Sequence, residues 1–241
     1  MSKVVATTVL PEDSGEILTF GDAGDAIAIS GDSLNLNVLQ DAGGNNIFTS
    51  NGSGTITSTA LGGAYKLLDT NTFTGAASSA FTSLIDSTYD VYFFSYIAIN
   101  PATDQTDFTF QCSIDGGSNY NVTQTTAAFQ AYHTEDGTAS SLGYNSGEDI
   151  QNGTGYQVLA GLVGNGADEN ASGELYLFTP SNTSNVKHWH ATTNFYRYVD
   201  RTNNSFFCGY FNTTSAINAI SFKMSSGNMD GEKKMYGIGK S

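Results

Sequence analysis

Two histidines on one predicted strand are the first candidates for chemistry. His188 and His190 flank Trp189, so both imidazoles would point to the same side of an extended strand. Two imidazoles at this spacing could form one edge of a metal site, but zinc needs four ligands. The remaining histidine is His133, and no pair of cysteines has metal-binding spacing. We therefore interpret His188 and His190 as polar residues on the exposed face of a strand and predict no metal.

Acidic residues provide two further candidate sites. Glu135 and Asp136 follow His133 and could form an acid–base pair with it, although the segment is typical of an ordinary loop. Residues 164–170, Gly-Asn-Gly-Ala-Asp-Glu-Asn, contain loop carboxylates of the kind that bind Ca²⁺, but they lack the full ligand spacing of a known calcium loop. A depolymerase would need paired carboxylates in one cleft, and no convincing pair is evident. The sequence predicts neither an enzyme nor a cofactor.

Exposed aromatic side chains are candidates for recognition. Tyrosines beside Asn- and Asp-rich loops at the edge of a β-sandwich are common contacts to glycans or proteins. We expect most aromatic residues to lie in the core or at subunit interfaces. The candidate contacts to a glycan or receptor are Tyr132, Tyr144, Trp189, Tyr196 and Tyr198.

Composition limits the classes of partner. The 241 residues include 23 acidic and 9 basic side chains, for a formal net charge of −14. This excess would repel a phosphate backbone, so nucleic acid is not an expected partner. The sequence has no apolar run of about 18 residues, so we expect no membrane insertion. The N-terminal residues also lack the basic and apolar stretches of a secretory signal.

Aromatic content divides the chain into two parts. Of the 29 Phe, Tyr and Trp residues, only Phe20 and Phe48 lie within residues 1–64. Large rings supply much of the area that a globular core buries. We therefore predict an N-terminal anchoring or oligomerisation segment at 1–64 and a self-sufficient domain at 65–241.

The N-terminal segment has the pattern of short strands separated by turns. Apolar and small or polar residues alternate at 27–29 and 34–38, and Gly-Asp pairs interrupt them. Such narrow strands bury little area within one chain, so structure formed with neighbouring subunits is favoured over a self-contained domain. A flexible arm that orders against a partner is the alternative. The predicted oligomer contacts are Ile27, Ile29, Leu34, Leu36 and Val38.

The C-terminal part is predicted to be an all-β antiparallel sandwich, most simply a jelly roll. Residues 107–114 alternate, with Phe108, Phe110, Cys112 and Ile114 on one face, and residues 115–119 then form a hairpin-type turn. Cys112 and Cys208 have the setting of small buried hydrophobes that form no disulfide. Further strands are predicted at 91–99, 127–133, 173–178, 185–196, 205–211, 216–224 and 233–238, whereas 156–163 suits a strand or one helical turn.

Several blocks occur together in a recognisable order. They are FTSLIDSTY at 81–89, NPATD at 100–104, SIDGGSNY at 113–120, AYH at 131–133, LFTPS at 177–181, GYFNTTSA at 209–216, FKMSSGN at 222–228 and MYGI at 235–238. Together they resemble a family of tail-fibre-like virion proteins of marine bacteriophages that infect cyanobacteria and pelagic bacteria. The likeness covers about residues 65–240, and residues 41–58 resemble the linking segment that precedes this domain.

The resemblance implies a structural or adhesive role with no catalytic residues. It implies a protein that is assembled in the host cytoplasm, is located in the virion, contacts other virion proteins through residues 1–64, forms a homotrimer and binds a host-surface glycan. A long fibre shaft is missing from the 60 or so residues before the domain. A capsid decoration or head-fibre protein is therefore an alternative, and a free carbohydrate-binding module is another.

Overall fold

A computed structural model describes residues 38–40, 43–44, 46–50, 56–57 and 65–239. Contacts divide the chain into two units, Met1–Leu61 and Gly62–Ser241. The described part of the first unit is an antiparallel sheet of β1 (Val38–Gln40), β2 (Asn46–Ser50) and β3 (Ile56–Thr57), in that order. Gly44, between β1 and β2, has a φ of +80°, a left-handed conformation that glycine adopts without steric cost.

Most of the predicted oligomer contacts lie outside the described residues. Ile27, Ile29, Leu34 and Leu36 precede the described part of the chain, and Val38 is the first residue of β1. The homotrimer therefore stays a prediction.

Twelve antiparallel strands build the second unit. They are β4 (Tyr65–Ala76), β5 (Ser79–Phe81), β6 (Tyr89–Pro101), β7 (Thr106–Ser113), β8 (Gln124–Thr134), β9 (Ser140–Tyr144), β10 (Gln157–Val163), β11 (Ala171–Phe178), β12 (Lys187–Arg197), β13 (Arg201–Phe211), β14 (Ala219–Met224) and β15 (Met229–Gly239). The segment that suited a strand or a helical turn is thus the strand β10. The described residues include no helix long and apolar enough to cross a membrane.

The pairing order confirms the predicted jelly-roll sandwich. Strands β4-β15-β6-β11 are neighbours in one sheet, and β5-β14-β7-β10 are neighbours in the other. With β8, β9, β12 and β13 set aside, these are strands 1-8-3-6 and 2-7-4-5 of an eight-stranded jelly roll. The first and last strands pair with each other, as do the second and the seventh.

Two strand pairs are inserted into this jelly roll, and both widen the same sheet. β12 pairs with β11, β13 with β12, β8 with β13, and β9 with β8. We call the resulting eight strands, β4-β15-β6-β11-β12-β13-β8-β9, the wide sheet, and β5-β14-β7-β10 the narrow sheet. A single pair, Val163 with Arg197, links β10 to β12 and nearly closes the structure.

The core lies between the two sheets and is rich in rings. Phe94 and Tyr96 of β6 face Phe222 of β14, with ring centroids 6.1 and 6.3 Å apart. Phe110 of β7 meets Trp189 of β12 edge to face, at 4.8 Å. These rings are almost completely buried. Since such side chains each bury a large apolar area, this layer is the main source of stability.

Strand β7 is buried on both of its faces. Phe108, Phe110 and Cys112 point into the core as predicted, but Gln111 is also fully buried. Gln111 Nε2 donates to the carbonyls of Val122, Thr154 and Gly155 at 3.2, 3.1 and 2.8 Å, so the loops behind β7 cover it. These loops therefore cover the outer face of the narrow sheet at β7 and exclude solvent from it.

Two local predictions near β7 are wrong. Ile114 lies beyond the end of the strand and is 44 % exposed. The turn at 115–119 does form, but it connects β7 to β8, which belong to different sheets, rather than closing a hairpin. Turn chemistry reverses the chain locally and does not determine which strands then pair.

The cysteines differ in environment. Cys112 is buried and Cys208 is exposed, and both are free thiols. The prediction that Cys208 is buried is wrong because Phe207 takes the inward position and Cys208 takes the outward one beside His190. Burial raises the pKa of the Cys112 thiol well above its usual value.

This difference predicts selective alkylation. With the protein at high dilution in native buffer, iodoacetamide should modify Cys208. Cys112 should react only after denaturant is added, because the thiolate is the reactive form and burial disfavours it. Mass spectrometry of the digested peptides measures both rates. Rapid native labelling of Cys112 would contradict the position of β7 in the core.

Two lysines are also buried. Lys187 Nζ donates to the carbonyls of Asn185 and Thr213 at 2.8 and 3.2 Å. Lys233 is 1 % exposed, and its Nζ donates to the Ser79 carbonyl at 2.7 Å. Burial lowers the pKa of Lys187, and it lowers the pKa of Lys233 to about 7. Both are costly positions for a cation.

Candidate functional site

A polar cleft of about 370 Å³ opens at one end of the wide sheet. The ends of β8, β12 and β13 and the loops at 134–139 and 164–170 form it. We define the polar cleft by the residues that line it. They are His133, Thr134, Glu135, Asp168, Asn170, Asn194, Phe195, Tyr196 and Thr202.

The floor of the cleft is a row of side chains on adjacent strands. Thr202 of β13 pairs with His133 of β8 and with Tyr196 of β12. Asn194 lies two residues before Tyr196 on the same strand, and its Nδ2 donates to Thr202 Oγ1 at 3.2 Å. Regular strand pairing therefore holds these groups at fixed spacing, which favours selective binding.

One wall of the cleft is the acidic loop at 164–170. The Tyr196 backbone NH donates to the Asn170 carbonyl at 3.0 Å and fastens this loop to β12. The Glu169 carboxylate accepts the Gly166 NH at 2.6 Å and is thereby used to close the loop. Among the described residues, no three His, Cys, Asp or Glu side chains are grouped closely enough to hold a metal ion. Asp168 and Asn170 face the cleft from this wall.

The opposite wall carries a fixed aromatic ring and further acids. Tyr196 Oη donates to Asp200 Oδ1 at 2.9 Å, and this hydrogen bond raises the pKa of Tyr196. The Glu135 NH donates to the Asp200 carbonyl at 3.0 Å, which connects the 134–139 loop to the turn after β12. Glu135 and Asp168 both line the cleft, whereas no lysine or arginine does. The formally charged side chains of the lining are therefore both acidic.

The structure separates the five aromatic candidates. Tyr196 lines the polar cleft, and Tyr132 lines an adjoining depression of about 240 Å³. The Arg201 guanidinium lies 4.1 Å from the Tyr132 ring centroid and covers one of its faces. Tyr144 is exposed on β9, where its hydroxyl donates to Asp149 Oδ2 at 2.6 Å. Tyr198 is half-buried in the turn between β12 and β13.

Trp189 is not a surface contact, and its prediction as one is wrong. Only 2 % of the residue is exposed, because its ring packs against Phe110 and Phe211 in the core. His188 and His190 lie on the exposed face of β12, as predicted. Alternation along the strand places the residue between them in the core.

A second feature of the wide sheet is a cluster of rings on its outer face, which we call the aromatic band. Its members come from five adjacent strands and are Tyr65, Phe93, Tyr176, Phe178, His190 and Tyr236. Tyr176 is central: its ring centroid is 4.9 Å from those of Phe93 and His190, and its hydroxyl lies 3.2 Å from that of Tyr65.

The cleft is assembled from segments that are far apart in the sequence. His133 and Glu135, the 164–170 loop and Tyr196 were three unrelated sequence candidates, and strand pairing brings them together. Asn194 and Thr202 were missed because a single Asn or Thr in a strand has no distinctive pattern. The aromatic band was missed because its rings alternate with core residues on strands that are apolar on both faces.

Comparison with known proteins adds no relatives. No family model, no curated protein and no solved structure matches the chain. Its function therefore has to be inferred from the residues of the cleft and the surfaces around it.

Proposed function

We propose that this chain is a tail-fibre-like structural protein of a bacteriophage virion, and that its jelly roll binds a saccharide of the host surface through the polar cleft. The composition of the cleft is the observation that carries the attachment role. Its lining combines two amides, two carboxylates, an imidazole, hydroxyls and one ordered tyrosine ring. The ordered sequence blocks between residues 81 and 238 support the virion class.

The cleft chemistry suits a saccharide in particular. The Asn170 amide can both donate and accept, whereas Asn194, whose Nδ2 already donates to Thr202 Oγ1 and to the Asn203 carbonyl, offers its oxygen as an acceptor. Carboxylates accept hydrogen bonds from neighbouring sugar hydroxyls. The hydroxyl of Tyr196 is already held by Asp200, so the ring keeps one orientation. Each contact is weak, and many copies on one particle would multiply them into firm attachment.

The charge of the cleft narrows the ligand class. Glu135 and Asp168 line the cleft, and a second depression of about 280 Å³, lined by Asp136 and Asp200, adds two more acids. Sulfated, phosphorylated or carboxylated sugars would be repelled by these groups. The expected ligand is therefore a neutral or amino-bearing saccharide.

Replacing Asn194 tests the cleft. Asn194→Ala removes an exposed amide from the floor, so affinity for a neutral saccharide should fall by about tenfold or more, the effect of losing one good hydrogen bond in a binding site. An array of neutral, sulfated and phosphorylated oligosaccharides, followed by titration of the best binder, measures this.

The matched control is Asn212→Ala, which removes another exposed amide just beyond the opposite end of β13 from Thr202, about 30 Å along the strand. It should bind like the parent chain. Equal losses in both variants, or preferential binding of sulfated sugars, would contradict a saccharide site in the cleft.

A glycan-cleaving enzyme is the second candidate, because Glu135 and Asp168 lie in the same cleft. Paired carboxylates that flank a sugar linkage are what glycoside hydrolysis requires. Release of reducing ends that Glu135→Gln abolishes without loss of binding would favour this reading. Retention of intact saccharide by the parent chain favours attachment.

The place of the protein in the particle separates the remaining alternatives. In our proposal residues 1–64 join the jelly roll to other virion proteins and hold three copies together. Immunogold labelling of virions at the tail supports the fibre role, whereas labelling over the head supports a capsid decoration or head fibre. A free carbohydrate-binding module would label neither.

A further inference from the structure

We propose that the aromatic band is an interface through which the jelly rolls of two copies of this chain pack against each other. This association is separate from the oligomerisation proposed for residues 1–64. It is also separate from saccharide binding, because the band lies on β4, β15, β6, β11 and the middle of β12, whereas the cleft lies at the ends of β8, β12 and β13.

The band is an apolar surface that residues 65–239 leave uncovered. Leu67 pairs with Tyr236, Tyr236 with Phe93, Phe93 with Tyr176, Tyr176 with His190, and His190 with Cys208, so one row crosses six strands on one face. Leu67 is 51 % exposed and Tyr65 is 48 % exposed. Contiguous apolar patches of this kind mark interaction sites on soluble proteins.

The ring geometry argues against a sugar as the occupant. Stacking a sugar requires a free ring face, and the faces in this band are turned to one another. Tyr176 stacks on His190 at an interplanar angle of 29°, and it also contacts Phe93 and Phe178. Tyr65 meets Phe93 edge to face at 82°. Rings whose faces contact one another leave their edges for a partner, and ring edges can fit between the side chains of a protein surface.

Charge identifies that surface as another copy of this chain. With a net charge of −14, two copies repel each other across most approaches. Neither the row from Leu67 to Cys208 nor the next row, of Tyr65, Ile238, Val91 and Phe178, contains Asp, Glu, Lys or Arg, and the row on the other side carries one charge of each sign, Lys234 and Glu174. A basic partner would call for carboxylates here. An uncharged aromatic surface instead matches an equally uncharged one, and depletion of charge with enrichment in Tyr and Phe is typical of interface cores.

The exposed thiol of Cys208 provides a built-in reporter. Cys208 lies at the end of the row, five strand spacings from Leu67, or about 24 Å. A charge at position 67 is therefore about three Debye lengths from the thiol in physiological salt and does not affect it directly. A charge at position 67 can therefore change the reactivity of Cys208 only by removing a partner surface that covers both ends of the row.

The test compares Leu67→Glu with Leu142→Glu in the full-length chain at micromolar concentration. Leu142 is 72 % exposed on β9, the opposite edge strand of the same sheet, and lies outside the band. We expect Leu67→Glu to raise the rate of Cys208 alkylation by about tenfold or more, because like charges would face each other across the interface. Leu142→Glu should alkylate at the parent rate.

Light scattering on the same samples completes the test. The parent chain should have a mass that is a multiple of 25.5 kDa, and Leu67→Glu should have a smaller mass than the parent chain. Equal alkylation rates in all three proteins would overturn the proposal. A shielded Cys208 in a parent chain of monomer mass would also overturn it, since the cover would then belong to the same chain. The proposal would also be overturned if Cys208 alkylation slowed only when a saccharide was added.

Discussion

Phe222→Ala should lower the free energy of unfolding by about 3–5 kcal/mol. Phe222 is fully buried on β14 of the narrow sheet, and its ring centroid lies 5.9–6.3 Å from those of Phe94, Tyr96, Phe108 and Phe110. Truncation leaves a cavity between two sheets that regular pairing prevents from collapsing. Thermal denaturation should show a fall in Tm of roughly 10 °C for a domain of this size.

Phe206→Ala is the matched control for this change. Phe206 is the same residue type on a strand of the wide sheet, but it lies on the outer face, where it stacks on Phe129 at 4.8 Å. Its loss should cost much less, about 1 kcal/mol. Equal destabilisation by the two substitutions would mean that the assignment of inner and outer faces is incorrect.

Lys233→Met should remove a pH dependence of stability that the parent chain shows between about pH 7 and pH 9. Lys233 Nζ is surrounded by the rings of Phe222, Phe81 and Phe73 at 4.4, 4.8 and 5.7 Å, and Asp69 is the nearby charge that partly offsets its burial. Burial lowers the pKa of Lys233 to about 7, against an ordinary value near 10.5. The folded chain therefore binds fewer protons than the unfolded chain in this range.

The sign follows from proton linkage. When the unfolded state binds more protons, stability rises with pH. Below pH 7 the folded chain carries a buried cation at full cost, and this cost is relieved as pH rises. The parent chain should gain on the order of 2–3 kcal/mol between pH 6 and pH 9, and Lys233→Met should gain none of it. Urea denaturation at several pH values measures this difference.

Lys234→Met provides the control for pH dependence. Lys234 is adjacent in sequence but half-buried on the opposite face, where it forms an ion pair of 2.9 Å with Glu232. Exposed pairs contribute little to stability, so this variant should keep the parental pH profile. If Lys233→Met also kept the pH dependence of stability of the parent chain, Lys233 would have to be solvated when it is charged.

Much of the fold follows from the apolar pattern of the sequence, whereas β4, β5 and β9 do not: β5 has only three residues, and the other two have no fully buried face. The apolar residues around Phe94, Phe110 and Phe222 predict β6, β7 and β14 because each of these strands has one face in the core. β9 has five exposed residues, and β4 is mostly exposed. Neither has a periodic apolar face, so pairing with β8 and β15 is what makes them strands.

The candidate site was less predictable because it depends on pairing over long sequence distances. Thr202 and His133 are neighbours only because β13 pairs with β8, and β8 belongs to an insertion that joins the wide sheet. No local pattern encodes such a partner. Trp189 shows the opposite case: alternation that exposes His188 and His190 also buries Trp189, so the residue between them could have been assigned to the core.

The position of β15 has a consequence for how this protein is made. β15 is the last strand in chain order, yet it lies between β4 and β6 and hydrogen-bonds to both. The ribosome synthesises β15 after every other strand. Until then, the edges of β4 and β6 that will hydrogen-bond to β15 are unpaired. Folding that begins during synthesis cannot close the wide sheet at this point. A chain truncated before residue 229 would therefore have a gap inside its wide sheet, between β4 and β6.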